Sequence, residues 1–357
     1  MKQDKQKPVI DFYQRDNMRF LFLKRHGLEA VIIEPILSDA SFRRYYRLPQ
    51  KKLLVMDSPP ELYPTKNFSR IANMLVSMPR TRVPNIIAED HQAGFLLIED
   101  VGKNSLTYLL KTNPASEANL YQQAVESLFD VQIWWHEIYD SKLMLPVYDE
   151  KPLLDEALLL PMWYVPEKNA ITPDKKMIEK FSHGLSSLYH LLMNNHAPPF
   201  LVFVHRDFHV DNLLLVDDKM VWLDFQDALI GHPTYDVMSL LEDARRDIDG
   251  LLKQTLWQNY LLAWQKKFPT DINLQDNFNL WFYFLGLVRH AKVLGIFIRL
   301  EKRDEKKNYY QHLPRVLKLL QNCFFNLTTA VEKISSAKPL KDSVKQIGYV
   351  LEQWRLL

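Results

Sequence analysis

The sequence predicts an α+β protein of two lobes, a small mixed sheet followed by a large, mostly helical part. Three observations carry that expectation. Short segments rich in Val, Ile, Leu and Tyr crowd the stretch before residue 100. Apolar residues recur at three- and four-residue spacing over most of 235–357. The 357 residues are about two domains' worth of chain. The expected lobes are 1–100 and 101–357.

Residues 11–26 read as a helix with Phe12, Met18, Phe20, Leu21 and Leu23 apolar, stopped by Gly27. Segments 30–36, 42–48 and 52–57 read as strands, and Pro59-Pro60 ends the third. A helix follows near 67–78, then strands near 85–89 and 94–99. Beyond Gly102, long helices are expected over 116–139 and 174–195, separated by a stretch holding Pro146, Pro152, Pro161 and Pro166. Residues 201–204, 212–216 and 219–224 are short apolar strands, the last two joined through Asp217-Asp218.

Composition narrows the function. Hydrophobic residues at 47% and charged residues at 25% exclude a disordered or fibrous chain. A net charge of +2 excludes a generally basic nucleic-acid binder. The charge is uneven: residues 245–357 hold 19 Lys/Arg against 10 Asp/Glu, a net of +9 that reads as solvated helix faces. A single cysteine, Cys323, excludes a disulfide framework or a Cys-rich zinc site. The longest apolar run, Leu280 to Val288, spans nine residues. That is short of the ~20 that cross a bilayer. The N-terminal stretch lacks the apolar core of a secretion signal, so the expected location is cytoplasmic. The closest two of the nine glycines, Gly94 and Gly102, are eight apart, which excludes both the Walker A loop and the Rossmann fingerprint.

The informative segment is Phe203-Val-His-Arg-Asp-Phe-His-Val-Asp-Asn212, followed by Val221-Trp-Leu-Asp-Phe-Gln-Asp-Ala228. An apolar strand delivers His205 and Asp207 into a loop, Asn212 follows five residues later, and a hairpin returns Asp224. Two carboxylates and a carboxamide oxygen form a hard-oxygen set suited to Mg²⁺. Phosphoryl transfer asks for such a set: one residue orients the attacking hydroxyl and others hold metal against phosphates.

His205-Arg-Asp-x4-Asn212 with Leu223-Asp-Phe225 resembles the catalytic loop and metal motif of protein-kinase-like enzymes. The form HRDFHVDN and the missing glycine loop are similar to the aminoglycoside phosphotransferase branch. Ser38-Asp-Ala-Ser-Phe-Arg-Arg-Tyr-Tyr-Arg47, Val55-Met-Asp-Ser-Pro-Pro60, Gly94-Phe-Leu-Leu-Ile-Glu-Asp100 and Leu223-Asp-Phe-Gln-Asp-Ala228 resemble, within it, the bacterial anomeric sugar kinases. Those phosphorylate N-acetylmuramate and N-acetylglucosamine at C1 in cell-wall recycling. The resemblance covers residues 11 to 250. It implies a protein-kinase-like bilobal fold, ATP and Mg²⁺ as cofactors, Asp207 as the base, and Asn212 and Asp224 on the metal. His205 and Asp236 are implied to support the loop, and residues 98–102, with Glu99 and Val101, to read adenine. His209, Gln226 and Asp227, beside the catalytic residues, are candidates for sugar contacts. The implied partner is a small-molecule sugar, with no nucleic acid and no membrane, and the chain is expected to act as a monomer.

One departure stands out. Protein-kinase-like enzymes carry a phosphate-holding lysine on the third strand, and Leu53-Leu-Val-Met-Asp57 has none. Strand alternation sends Arg43 and Arg44 to opposite faces, and Arg44 is the candidate substitute, with the Ser41 turn offering backbone N–H groups. Trp134-Trp135 and Trp163-Tyr164 read as helix-face core before they read as a sugar platform. Two further readings stay open here: an aminoglycoside or small-amine kinase, and a nucleotide-binding pseudokinase.

Overall fold

The computed structural model describes residues 11–36, 43–76, 78, 80–138, 145–334 and 338–357. The chain divides into two compact units, Met1–Tyr108 with Leu213–Asp227, and Leu109–Asn212 with Ala228–Leu357. The hairpin after Asn212 thus groups with the first unit, whereas a cut at residue 100 leaves it with the second.

The first unit opens on α1 (Phe12–Arg25), capped by Asp11, whose side chain accepts from the Gln14 N–H. Then come β1 (Glu34–Ile36), β2 (Arg44–Leu48), β3 (Leu53–Asp57), α2 (Lys66–Leu75), β4 (Thr81–Arg82), β5 (Ile86–Asp90) and β6 (Phe95–Glu99). Five strands form a sheet in the order β1-β2-β3-β6-β5, every neighbouring pair antiparallel. Phe22 and Leu23 of α1 share a buried cluster with Val55, Phe95 and Leu97 of this sheet. The expected strands fall within a residue or two of these bounds, apart from the first, which is confined to β1.

The helix α3 (Leu106–Thr112) spans the division. The second unit continues through α4 (Glu117–Ile138), α5 (Glu150–Ala157), a π turn at Leu160–Tyr164, α6 (Val165–Asn169) and α7 (Lys175–Asn195). After β7 (Val202–Val204) the chain forms β8 (Leu213–Val216) and β9 (Lys219–Trp222), then β10 (Leu229–Gly231). Strands β8 and β9 are an antiparallel hairpin turned by Asp217 and Asp218, both with positive φ, as a two-residue I′ loop requires. Strand β4 pairs in parallel with β9, and β7 pairs antiparallel with β10. The rest is helical: α8 (Thr234–Leu241), α9 (Gly250–Lys267), α10 (Leu274–Lys302), α11 (Leu313–Glu332) and α12 (Lys338–Gln353).

Helix α10 is long and apolar enough to cross a membrane by length and composition, yet 83% of its most apolar stretch is buried inside the fold. It is a core helix. A Cβ on Gly295 would stand 2.4 Å from the Leu159 carbonyl oxygen, so only glycine allows that approach to the π turn. At Gly286 a Cβ would stand 2.5 Å from Cys323 Sγ. That thiol donates to Glu242 Oε2 (3.1 Å), which also meets His290 Nε2 at 2.7 Å, while Lys253 pairs with Oε1. Trp135 is buried against Phe203, with ring centroids 5.9 Å apart, and Tyr164 is buried too, so both belong to core.

Candidate active site

In the second unit the fully buried strand β7 ends at Val204 and hands the chain to His205, itself fully buried. The next residue, Arg206, has φ +75°, a left-handed conformation that is strained for a residue with a Cβ and needs support. Asp236 of α8 supplies it. Its Oδ2 accepts from the His205 N–H (2.6 Å) and its Oδ1 from the Arg206 N–H (3.0 Å). Burial pushes the Asp236 carboxyl up, against those two N–H donors, to about 7.

The loop then tightens. His209 N–H donates to the Asp207 carbonyl (3.1 Å) and Asn212 N–H to the His209 carbonyl (2.9 Å). Asn212 Nδ2 donates to the Asp207 carbonyl at 2.9 Å. Its amide hydrogens are therefore used by the loop, and among the described residues its Oδ1 accepts no hydrogen bond, which suits a hard cation. The Asp207 carboxylate likewise has no hydrogen-bond partner among the described residues. Burial would raise its pKa, but the charges of Lys292, His209 and Arg289 outweigh that and hold it down at about 2. Burial lowers the pKa of His209.

Two of those charges come from α10. Lys292 reaches Glu156 of α5 at 3.0 Å, and Arg206 closes on the same oxygen. Tyr148 donates its hydroxyl to the other oxygen at 2.7 Å. The cations outweigh the burial of Glu156 and keep its carboxyl below the usual range.

In the first unit Asp224 lies two residues beyond β9, with φ +59°. Its side chain is half exposed. Gln226, nearly buried, donates Nε2 to Asp224 Oδ1 at 2.7 Å, so this expected sugar contact is occupied in bracing the metal-candidate carboxylate. Asp227 is exposed. The two arginines separate as alternation requires. Arg44 donates to Asp57 Oδ2 at 2.6 Å, on a fully buried carboxylate that Arg15 also grips. The buried Arg43 guanidinium stands 3.7 Å from Asp224 and 4.9 Å from the Tyr63 ring. Ser41 lies outside the described residues.

Glu99 is held by both carboxylate oxygens to Arg82 (2.9 and 2.8 Å), and its N–H donates to the Asn85 carbonyl. Asp100 N–H donates to the Lys52 carbonyl. Val101 differs: among the described residues its N–H and C=O make no hydrogen bond, while its side chain packs with Leu214 and Val221. An apolar patch beside an open backbone edge suits a flat heteroaromatic ring.

The family model described as the phosphotransferase enzyme family matches residues 32–267. The chain belongs to the phosphotransferase enzyme family. An N-acetylmuramate/N-acetylglucosamine kinase of Pseudomonas aeruginosa is 34% identical over 80% of this chain and 82% of its own length. The enzyme of that name from Neisseria meningitidis is 31% identical, with coverage of 80% and 83%. Among solved structures, a choline kinase from Cryptosporidium parvum aligns with a TM-score of 0.58 at 13% identity, covering 92% of this chain and 99% of that one. The aminoglycoside phosphotransferase APH(2'')-Ib gives 0.55 at 14%, covering 85% and 96%. The fold is the protein-kinase-like fold of these phosphotransferases.

For this phosphotransferase, sequence reading missed Glu156, Arg289 and Lys292. A signal was present: Arg289 and Lys292, with His290 between them, interrupt an apolar stretch of α10, where a charge needs a reason. Counted with the basic C-terminal third, they passed as solvated.

The Asp236 brace gives a testable result. Asp236→Asn retains one acceptor oxygen for two buried N–H groups, and an orphaned one costs about 1–3 kcal/mol. Because the wild-type carboxyl sits near 7, above its unfolded value, its contribution is full below about pH 4 and is lost as pH rises through 7. Melting temperatures at pH 5 and pH 8 should show the wild type's advantage over Asp236→Asn shrinking at the higher pH.

Proposed function

We propose that this phosphotransferase moves the γ-phosphoryl group of ATP to the anomeric hydroxyl of N-acetylmuramate or N-acetylglucosamine, as a step in cell-wall recycling. The observation that carries the reading is the Asp207 carboxylate, ionised and unengaged at the end of a braced loop. The names of the relatives at 31–34% identity support the acceptor. In the reaction the anomeric oxygen forms a bond to the γ-phosphorus, the bond from that phosphorus to the bridging oxygen breaks, and ADP leaves. Asp207 orients the hydroxyl and takes its proton. A carboxylate held near 2 is a weak base, which suits a proton that leaves late, as the phosphoryl bond forms, from a relatively acidic anomeric hydroxyl. Asn212 Oδ1 and Asp224 would hold Mg²⁺, which neutralises charge on the phosphates when bound. The Val101 backbone edge would read adenine.

The test is a panel of N-acetylmuramate, N-acetylglucosamine, glucosamine, kanamycin, choline and homoserine with ATP and Mg²⁺. NMR of the product locates the phosphate. Turnover of kanamycin or choline in preference to both acetylated sugars, or phosphate at any carbon other than C1, would refute the reading.

The missing lysine has a substitute in this scheme, and it is Arg43. Its guanidinium approaches Asp224, whereas that of Arg44 is committed to Asp57. Arg43→Ala is expected to raise KM for ATP and lower kcat together. Arg44→Ala should act on stability, by about 1–3 kcal/mol, since it strips a charged partner from a buried carboxylate that Arg15 still holds. Steady-state kinetics and thermal melts of the two variants separate these effects.

A further inference from the structure

Arg289 lies in the middle of α10 and is 5% exposed. Among the described residues no hydrogen bond or ion pair engages its guanidinium, and its Nη1 is buried without a partner. Its neighbours show what a satisfied cation looks like in this unit. Lys292, one turn on along the same helix face, reaches Glu156 at 3.0 Å, and Arg206 closes on that carboxylate too. Glu156, with Tyr148 on its second oxygen, has both oxygens occupied and is not available to a third cation. Arg245 has Asp211 at 3.4 Å, and Arg246 has Glu117 at 2.6 Å. Arg289 alone of this group is left without a carboxylate at contact distance, although its charge acts on Asp207, Asp236 and Tyr235. A buried guanidinium without an anion is costly, and such groups are kept where a ligand completes them.

The position narrows the ligand. Lys292, one turn from Arg289 on α10, shares Glu156 with Arg206, the residue next to Asp207, so this part of α10 lies against the loop that carries the proposed acceptor base. The candidate cation for the phosphates, Arg43, is in the first unit. The two proposed acceptors differ by one charged group: N-acetylmuramate carries a lactyl ether ending in a carboxylate, and N-acetylglucosamine carries a free hydroxyl there. A planar carboxylate is the partner that a guanidinium fork fits. From these observations we infer that Arg289 is the residue that binds the lactyl carboxylate of N-acetylmuramate and sets preference for the acidic sugar over the neutral one. The inference rests on the acetylated-sugar reading given above.

The experiment varies both protein and sugar. Wild type, Arg289→Met and Arg289→Lys are assayed with N-acetylmuramate, its methyl ester and N-acetylglucosamine under saturating ATP and Mg²⁺. A charged hydrogen bond of this kind is worth roughly 10–10²-fold in kcat/KM. In the wild type the acid should therefore exceed its ester by that factor, a comparison that needs no variant to fold. In Arg289→Met the ratio of kcat/KM for N-acetylmuramate to that for N-acetylglucosamine should fall by the same factor, mostly through KM, and acid and ester should converge. Arg289→Lys should recover part of the ratio, because its point charge lacks the fork. Equal wild-type rates on acid and ester, or equal losses on both sugars in Arg289→Met, overturn the inference and leave the sugar-kinase reading standing. A wild type inactive on both sugars overturns the two together.

Discussion

Asp224→Ala is expected to abolish turnover, with kcat down by more than about 10³-fold. A metal's stabilisation of transferring charge is worth several kcal/mol, and each 1.36 kcal/mol is tenfold in rate. The same variant should weaken ATP binding in the presence of Mg²⁺ and leave Mg²⁺-free nucleotide binding nearly unchanged, which calorimetry with and without the cation would show. Its neighbours lose partners as well, since Gln226 donates to Asp224 and Arg43 faces it. Asn212→Ala should be milder on the metal and partly rescued by high Mg²⁺, because a neutral carboxamide contributes less than a carboxylate. It also removes the Nδ2 bond to the Asp207 carbonyl, so rescue should stop short of wild-type rate. Normal ATP turnover by Asp224→Ala would remove this residue from the metal site.

For Asp207→Asn the expected loss is roughly 10²–10⁴ in kcat, the range for a positioned general base. The fold and the affinity for ATP should survive, because the Asp207 side chain makes no hydrogen bond among the described residues and the loop is held by its backbone and by Asp236. The pH profile adds a second check. With its pKa near 2, Asp207 is already ionised across the working range, so the acid limb of kcat/KM should not report its protonation. A variant with near wild-type kcat would take Asp207 out of the mechanism.

The parts of the site that could be read from the sequence are those carried by one contiguous run. His205, Asp207 and Asn212 follow a single strand, and Asp224 returns through a hairpin whose turn is written in Asp217-Asp218. Asp236 sits soon after, on the next helix. Alternation predicted that Arg43 and Arg44 would diverge but not which would face Asp224, because that depends on where α1 places Arg15 against Asp57. Strands β4 and β10, of two and three residues, escaped notice because neither stands out as an apolar run, and each is defined by its pairing with β9 or β7. Arg289, Lys292 and Glu156 were illegible for a related reason. They come from α10 and α5, about fifty residues or more from the loop, and only tertiary packing brings the charges of Arg289 and Lys292 to bear on Asp207 and sets Glu156 against Lys292.

The lone thiol of Cys323 has a use that its burial confers. Burial and the neighbouring Glu242 carboxylate push its pKa well up, so it is a protonated thiol where an alkylating reagent needs a thiolate. The sulfur is buried and packs so closely on α10 that a Cβ at Gly286 would stand 2.5 Å from it, so a reagent has no open approach in the closed core. A reagent that labels this protein therefore does so by waiting for α10 and α11 to part. With one cysteine in the chain, the labelling rate counts openings of the helical unit. The protein carries its own single-site clock for the breathing of the helix that also bears Arg289 and Lys292.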